Sequence, residues 1–103
     1  MITRCSLTFE AAEKLREVLG LPKDIEVGAA LLEFREVPYF IVSRSRDKWT
    51  EEQGDINTVR LMGMNDKGLL ADPDNSGKAK LSEVARLTLI PWPNVISLTV
   101  ERV

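Results

Sequence analysis

The stretch LTLIPWPNVISLTVERV (residues 87–103) contains two apolar runs that are separated by Pro91, Trp92, Pro93 and Asn94. A proline has no N–H group to donate to a strand ladder, so the two prolines are expected to interrupt strand pairing and form a tight corner. A corner here lets one strand turn directly into the next, which is how small bent sheets close on themselves. Trp92 then either covers one end of the core or protrudes as a contact residue. The stretch therefore predicts a sharply bent sheet near the end of the sequence.

Residues 6–22, SLTFEAAEKLREVLGLP, have the pattern of one amphipathic helix. Thr8 or Ser6 can cap its N-terminus, and Gly20 followed by Pro22 ends it. Apolar residues recur at helical spacing, which predicts one face packed on the rest of the fold. These residues are Ala11, Ala12, Leu15, Val18 and Leu19.

Five strands are predicted to follow the helix. In the first, near residues 27–34, Ala30, Leu32 and Phe34 alternate on one face. Gly28 permits a bend or bulge, which would explain why both faces of residues 27–32 are apolar. The second contains Phe40 and Val42 after a turn near residues 35–38, and the third lies within residues 56–64. Residues 65–80 are rich in turn-forming residues and are predicted to be a long loop, and the last two strands lie within 81–90 and 95–103. We therefore predict an α+β fold in a single domain of residues 1–103: an N-terminal helix packed on a strongly bent five-stranded antiparallel sheet.

Composition narrows the possible chemistry. The 103 residues include one cysteine, Cys5, and no histidine, which excludes an intramolecular disulfide, a cysteine-rich metal site and any nucleophile–histidine triad. The formal net charge is −2, which gives no chain-wide attraction to nucleic acid. We find no signal peptide and no apolar run of the roughly 20 residues that cross a bilayer, so a soluble, cytoplasmic protein without membrane association is expected. Because histidine is absent and the paired carboxylates Glu51 and Glu52 have no apolar surroundings to raise a pKa, we also expect the protein to be non-enzymatic.

The corner also resembles a known family. In LIPWPNVISL (residues 89–98), the positions of Ile90, Asn94, Val95 and Leu98 are similar to the second motif of the Sm-like small β-barrels, and the predicted order of elements is similar too. Related SH3-like barrels fit nearly as well. Pro91 and Trp92 replace the Arg-Gly pair with which that family helps to form its RNA pocket. The resemblance implies an oligomeric ring that is joined through strand edges, with RNA as a partner only where other basic residues replace the missing arginine.

Three hypotheses about function follow. The first is a non-enzymatic interaction or assembly module, a homo-oligomer joined through strand edges, with Trp92, Leu89, Ile96 and Leu98 as interface candidates. The second is an Sm-like RNA-binding ring, whose nucleic-acid candidates are the basic residues Arg44, Arg46 and Lys48 beside Trp49.

The third hypothesis is a calcium-responsive module. Residues 72–83, DPDNSGKAKLSE, match the spacing of an EF-hand loop, in which clustered oxygen ligands surround the cation and a glycine forms the sharp turn. Surface turns are also rich in Asp, Pro, Asn, Ser and Gly, so the same segment is consistent with a surface loop that binds no metal. The candidate ligands are Asp72, Asp74, Ser76 and Glu83, with Gly77 at the turn. No other cofactor is expected.

Overall fold

The computed structural model describes residues 2–35, 59–74 and 76–103. These residues form one α-helix and six β-strands: β1 (Ile2–Leu7), α1 (Phe9–Leu19), β2 (Val27–Phe34), β3 (Val59–Met64), β4 (Gly68–Asp72), β5 (Thr88–Pro91) and β6 (Val95–Arg102). Two short 3-10 turns lie at Leu81–Glu83 and Trp92–Asn94. The α+β class predicted from the sequence is confirmed. No helix in these described ranges has both the length and the apolar character needed to cross a membrane.

Helix α1 begins and ends where its sequence predicts. Thr8 is the N-cap, and its Oγ1 accepts a hydrogen bond from Ala11 N at 3.1 Å. Gly20 has a left-handed backbone with φ of 67°, and its N–H and that of Leu21 donate to carbonyls of the last turn. Packing covers less of the helix than predicted, because Ala11 and Leu15 are buried whereas Val18 is 63% exposed.

The strands form one mixed sheet in the order β5-β4-β3-β1-β2-β6. β1 pairs antiparallel with β2 and parallel with β3, so the predicted five-stranded antiparallel sheet preceded by a helix is wrong. The sequence did not predict the N-terminal strand, because a polar side chain of this strand faces the core and an apolar one faces solvent. Thr3 and Cys5 point into the core while the apolar Ile2 is exposed, so the letters do not show the period of two that identifies a strand.

The predicted loop over residues 65–80 is also wrong in its first half. Gly68–Asp72 is strand β4, which pairs with β3 on one side and β5 on the other. A tight turn precedes it, in which the Asn65 side chain accepts hydrogen bonds from the N–H groups of Lys67 and Gly68 at 2.8 and 3.1 Å. A five-residue strand between two turns is too short to give a periodic signal. The strand predicted within residues 81–90 is also shorter than expected, because Leu81–Glu83 forms a 3-10 turn.

Two bulges adjust the register of the β2–β6 pair. Val27 lies opposite Arg102 and Ala29 opposite Glu101, so Gly28 is the extra residue on β2, as predicted. Glu33 lies opposite Ser97 and Phe34 opposite Val95, so Ile96 is the extra residue on β6. The predicted strand with Phe40 and Val42, and most of the turn before it, lie outside the described residues.

The core lies on one side of the sheet and is covered by α1. Strands β5 and β6 are at opposite ends of the strand order, yet only the three residues Trp92–Asn94 connect them. In a flat sheet these strands would lie roughly 24 Å apart, at about 4.8 Å per neighbour. The sheet must therefore curl strongly, and it stays open because no ladder joins β5 to β6 among the described pairings. Its interior is formed by Cys5, Ala30, Leu32, Phe34, Val59, Leu61, Leu69, Ala71 and Ile90, with Ala11 and Leu15 from the helix.

Candidate interaction surface

The Pro-Trp-Pro corner is anchored to the turn between β3 and β4. Trp92 is half-buried and packs against the core. Its backbone N–H donates to Lys67 O at 3.1 Å, and its indole Nε1–H donates to Asn65 O at 3.0 Å. Tryptophan suits such a place, since its large apolar body is buried while its single N–H finds an acceptor. Of the two roles considered for Trp92, the structure therefore places it against one end of the core.

The same corner is also anchored to the end of β2. The backbone N–H of Arg35 donates to Asn94 O at 2.8 Å, and its guanidinium Nε–H donates to Pro93 O at 2.9 Å. The corner thus joins β5 and β6, the two ends of the curled sheet, and is held by the β3–β4 turn on one side and by the residue after β2 on the other. The prolines leave no unpaired N–H groups here, because they have none.

The two edge strands carry exposed apolar side chains. Leu89 on β5 is 41% exposed and Ile96 on β6 is 52% exposed; Leu87, just before β5, is exposed as well. Leu98, like Trp92, is only half-buried and packs against the core. Of the four predicted interface residues, the structure thus presents Leu89 and Ile96 to solvent at the sheet's two edges. The bulge at Ile96 accounts for its exposure, since the extra residue leaves the regular alternation.

The candidate calcium loop uses its carboxylates for internal hydrogen bonds. Asp72 is buried; its Oδ1 accepts from Asp74 N at 3.0 Å, and its Oδ2 accepts from both Ser76 N and Ser76 Oγ at 2.8 Å. Burial raises the pKa of Asp72, but the hydrogen bonds from Ser76 and Asp74 outweigh it, so that the pKa lies below its ordinary value.

The other acidic residues of this loop point to different partners. Asp74 forms an ion pair with the Arg86 guanidinium, and Glu83 Oε1 accepts from Lys80 N at 3.1 Å. Gly77 has φ of 81°, as a tight turn requires. Within residues 2–35, 59–74 and 76–103, no three His, Cys, Asp or Glu side chains form a group that could hold a metal ion. The loop has the composition of a calcium site, but in this structure its hydrogen bonds are those of a self-capped turn.

Cys5 lies in the core and is fully buried. Desolvation raises the pKa of its thiol to about 12, and its Sγ–H is directed at Thr3 O, 3.7 Å away. A thiol that stays protonated at neutral pH is a poor nucleophile. The nucleic-acid candidates Arg44, Arg46 and Lys48 lie outside the described residues.

A groove that the sequence did not reveal runs along α1. It has a volume of about 550 Å³, which is within the range of small-molecule pockets. Its apolar lining comes from Phe9, Leu21, Met64 and Leu81, and charged residues of α1 form its rim. These four residues belong to separate segments of the chain, and Phe9 alone is 80% exposed. No local pattern predicts such a meeting. The one signal in the sequence is that Phe9 lies outside the apolar face predicted for the helix.

Comparisons with protein-family models, with curated proteins and with solved structures find no match for this chain. Its function must therefore be argued from the geometry above.

Proposed function

We propose that this chain is a non-enzymatic interaction module that assembles with copies of itself through strand edges. The observation that carries the proposal is that β5 and β6 are the edge strands among the described pairings, with Leu89 and Ile96 exposed on them. The edge of a sheet presents unpaired N–H and C=O groups that can pair with a strand of another chain. Exposed apolar side chains beside those groups add a hydrophobic contribution to such pairing.

The chemistry of the described side chains also favours a non-enzymatic role. The thiol of Cys5 is buried and its pKa is raised, so it does not supply a nucleophile. The buried carboxylate of Asp72 accepts three hydrogen bonds within its own loop. These bonds favour its ionised form and engage both of its oxygens. We place the assembly in the cytoplasm, where an unpaired thiol such as Cys5 remains reduced.

Light scattering coupled to size exclusion tests this proposal. We expect the wild-type chain to form a discrete oligomer in the micromolar range. The double variant Leu89→Lys/Ile96→Lys should be monomeric, because it places a charge on each edge strand. Val18→Lys is the matched control, since it adds the same charge at an exposed position of α1 and should leave the assembly intact. A wild-type chain that is monomeric at all concentrations up to several hundred micromolar would contradict the proposal.

The two alternatives from the sequence remain predictions. An RNA-binding ring predicts a gel shift with oligo-uridine or oligo-adenosine at moderate salt, and charge reversal of Arg44 and Arg46 should abolish it. A calcium-responsive module predicts a higher melting temperature in millimolar calcium than in chelator, and Asp72→Asn should remove that difference. The internal hydrogen bonds of Asp72 weigh against the second alternative, because calcium would have to displace the Ser76 donors.

A further inference from the structure

Among residues 2–35, 59–74 and 76–103, β5 and β6 are the two edge strands of the sheet, and these edges are protected to different degrees. β5 has only four residues and ends at Pro91, which has no N–H to offer. The next N–H along the chain, that of Trp92, already donates to Lys67 O. β6 has eight residues, and its stretch VISLTV (residues 95–100) contains no proline and no charge. Short strands, prolines and charges are the usual means by which proteins blunt an edge, so β6 is the less protected edge.

The regular part of β6 is suited to pairing with itself. From Ser97 to Glu101 its register against β2 is uninterrupted, so this segment presents an even edge beyond the bulge at Ile96. Pairing β6 with β5 of another copy would use at most four residues of the partner. Antiparallel pairing of β6 with β6 instead matches the regular segment, residues 97–101, with itself. A self-complementary edge also needs only one unprotected strand per chain and gives a closed two-fold dimer.

On these grounds we propose that two copies pair antiparallel through β6, with the two-fold axis at Thr99. The inference rests on the proposed function and names its surface and its partner. When the axis passes through Thr99, the two threonines lie opposite each other and Leu98 lies opposite Val100 of the second copy. Ser97 then lies opposite Glu101. Cross-strand pairs of threonines and of apolar residues are favourable, and no two like charges are opposed in this register.

Neighbouring registers are less favourable. With the axis at Leu98, the carboxylate of Glu101 lies opposite the apolar Val95; with the axis at Val100, Arg102 lies opposite Leu98. A two-fold axis perpendicular to the sheet leaves each side chain on the same face in both copies. Residues that lie opposite each other must also share a face, so the axis has to lie between two copies of the same residue and not between two successive residues. Both Thr99 and Ser97 are exposed in the single chain, so substitutions there leave the core intact.

Disulfide cross-linking tests the register. Residues directly opposite across an antiparallel pair have Cα atoms about 4.5–5.5 Å apart, which is within the range that a disulfide spans. We expect Thr99→Cys to give a covalent dimer on a non-reducing gel under mild oxidation. Ser97→Cys is the matched control and should not cross-link, because two Ser97 positions lie roughly 14 Å apart in this register. The buried thiol of Cys5 does not interfere in either variant.

Charge substitutions at the two edges provide a second test. Thr99→Lys places two ammonium groups across the axis and should weaken the dimer at least tenfold, measured by sedimentation, while Leu89→Lys on β5 should leave it unchanged. If the wild-type chain forms an oligomer but Thr99→Cys does not cross-link, or cross-links no better than Ser97→Cys, the β6 pairing is wrong and the proposed assembly stands. A wild-type chain that is monomeric at every concentration overturns both.

Discussion

Asp72 is the residue on which the loop after β4 depends. Its folded-state pKa lies below its ordinary value of about 3.9, so its ionised form stabilises the fold at all pH values above about 4. That contribution is lost as the pH falls through the folded-state pKa, because the unfolded chain then binds the proton more readily.

We expect Ser76→Ala, which removes one donor to Asp72 Oδ2, to lower the free energy of unfolding by about 1–2 kcal/mol at pH 7. The difference should shrink as the pH falls below about 4, towards the folded-state pKa. Urea titrations at pH 7 and pH 3 measure it, with the exposed Ser82→Ala as control; an equal loss at both would show that the carboxylate is not involved.

Cys5 gives a second prediction at the same scale. With a thiol pKa of about 12, its thiolate fraction at pH 8 is on the order of 10³-fold smaller than that of a free cysteine, whose pKa is about 8.5. Burial removes access as well. We expect native protein to react with a chromogenic disulfide reagent only at the rate of global unfolding, and to react within seconds in 6 M guanidinium. Rapid modification of the native chain would show that β1 opens locally.

At the scale of elements, the β4–β5 pair depends on a close approach at Gly68. A Cβ atom at this position would lie 2.1 Å from Ile90 O, a backbone atom that cannot move aside without breaking the ladder. We expect Gly68→Ala to destabilise the fold by at least about 2–3 kcal/mol. Gly28→Ala is the matched control in a bulge of β2. The nearest atom to its Cβ would belong to the side chain of the exposed Val103, at 3.1 Å, and the nearest backbone atom, Glu101 O, would lie at an ordinary contact distance of 3.6 Å, so this change should cost less than about 1 kcal/mol. Thermal melts of the two variants measure the contrast, and equal losses would contradict it.

The elements also show how far the sequence alone could lead. Local signals were sufficient where they depend on one residue type, as with the cap at Thr8, the left-handed Gly20 and the corner at Pro91. Alternation identified β2, since all of its inward residues are apolar. β1 was missed because its inward Thr3 is polar while its outward Ile2 is apolar. The residue types after Asp72 predicted a loop. They did not predict whether the carboxylate oxygens of Asp72 face a cation or accept hydrogen bonds from Ser76, because that depends on the conformation of the backbone.

For the molecule as a whole, the main features that local patterns could not predict are long-range pairings. β1 lies beside β3 although more than fifty residues separate Cys5 from Val59. Parallel strands are not joined by a hairpin turn, so the sequence contains no turn signal for this pairing. The groove beside Phe9 is of the same kind, because Leu21, Met64 and Leu81 meet there from separate segments. The strong curl of the sheet was predictable from its corner, whereas the identity of the strands at its edges was not.

The central position of β1 has a consequence for the order of events during synthesis. β1 is synthesised before both of its neighbours: β2 follows soon, but β3 follows only later. β2 in turn gains its second described neighbour only when β6 emerges. Loop-closure entropy has to be overcome before such distant contacts contribute, so chain collapse should precede the rate-limiting step. In stopped-flow refolding monitored by Trp92 fluorescence, we expect a phase of milliseconds to seconds and not of microseconds. Nascent chains stalled before Val95 should remain sensitive to protease, since the edge of β2 that pairs with β6 is then bare.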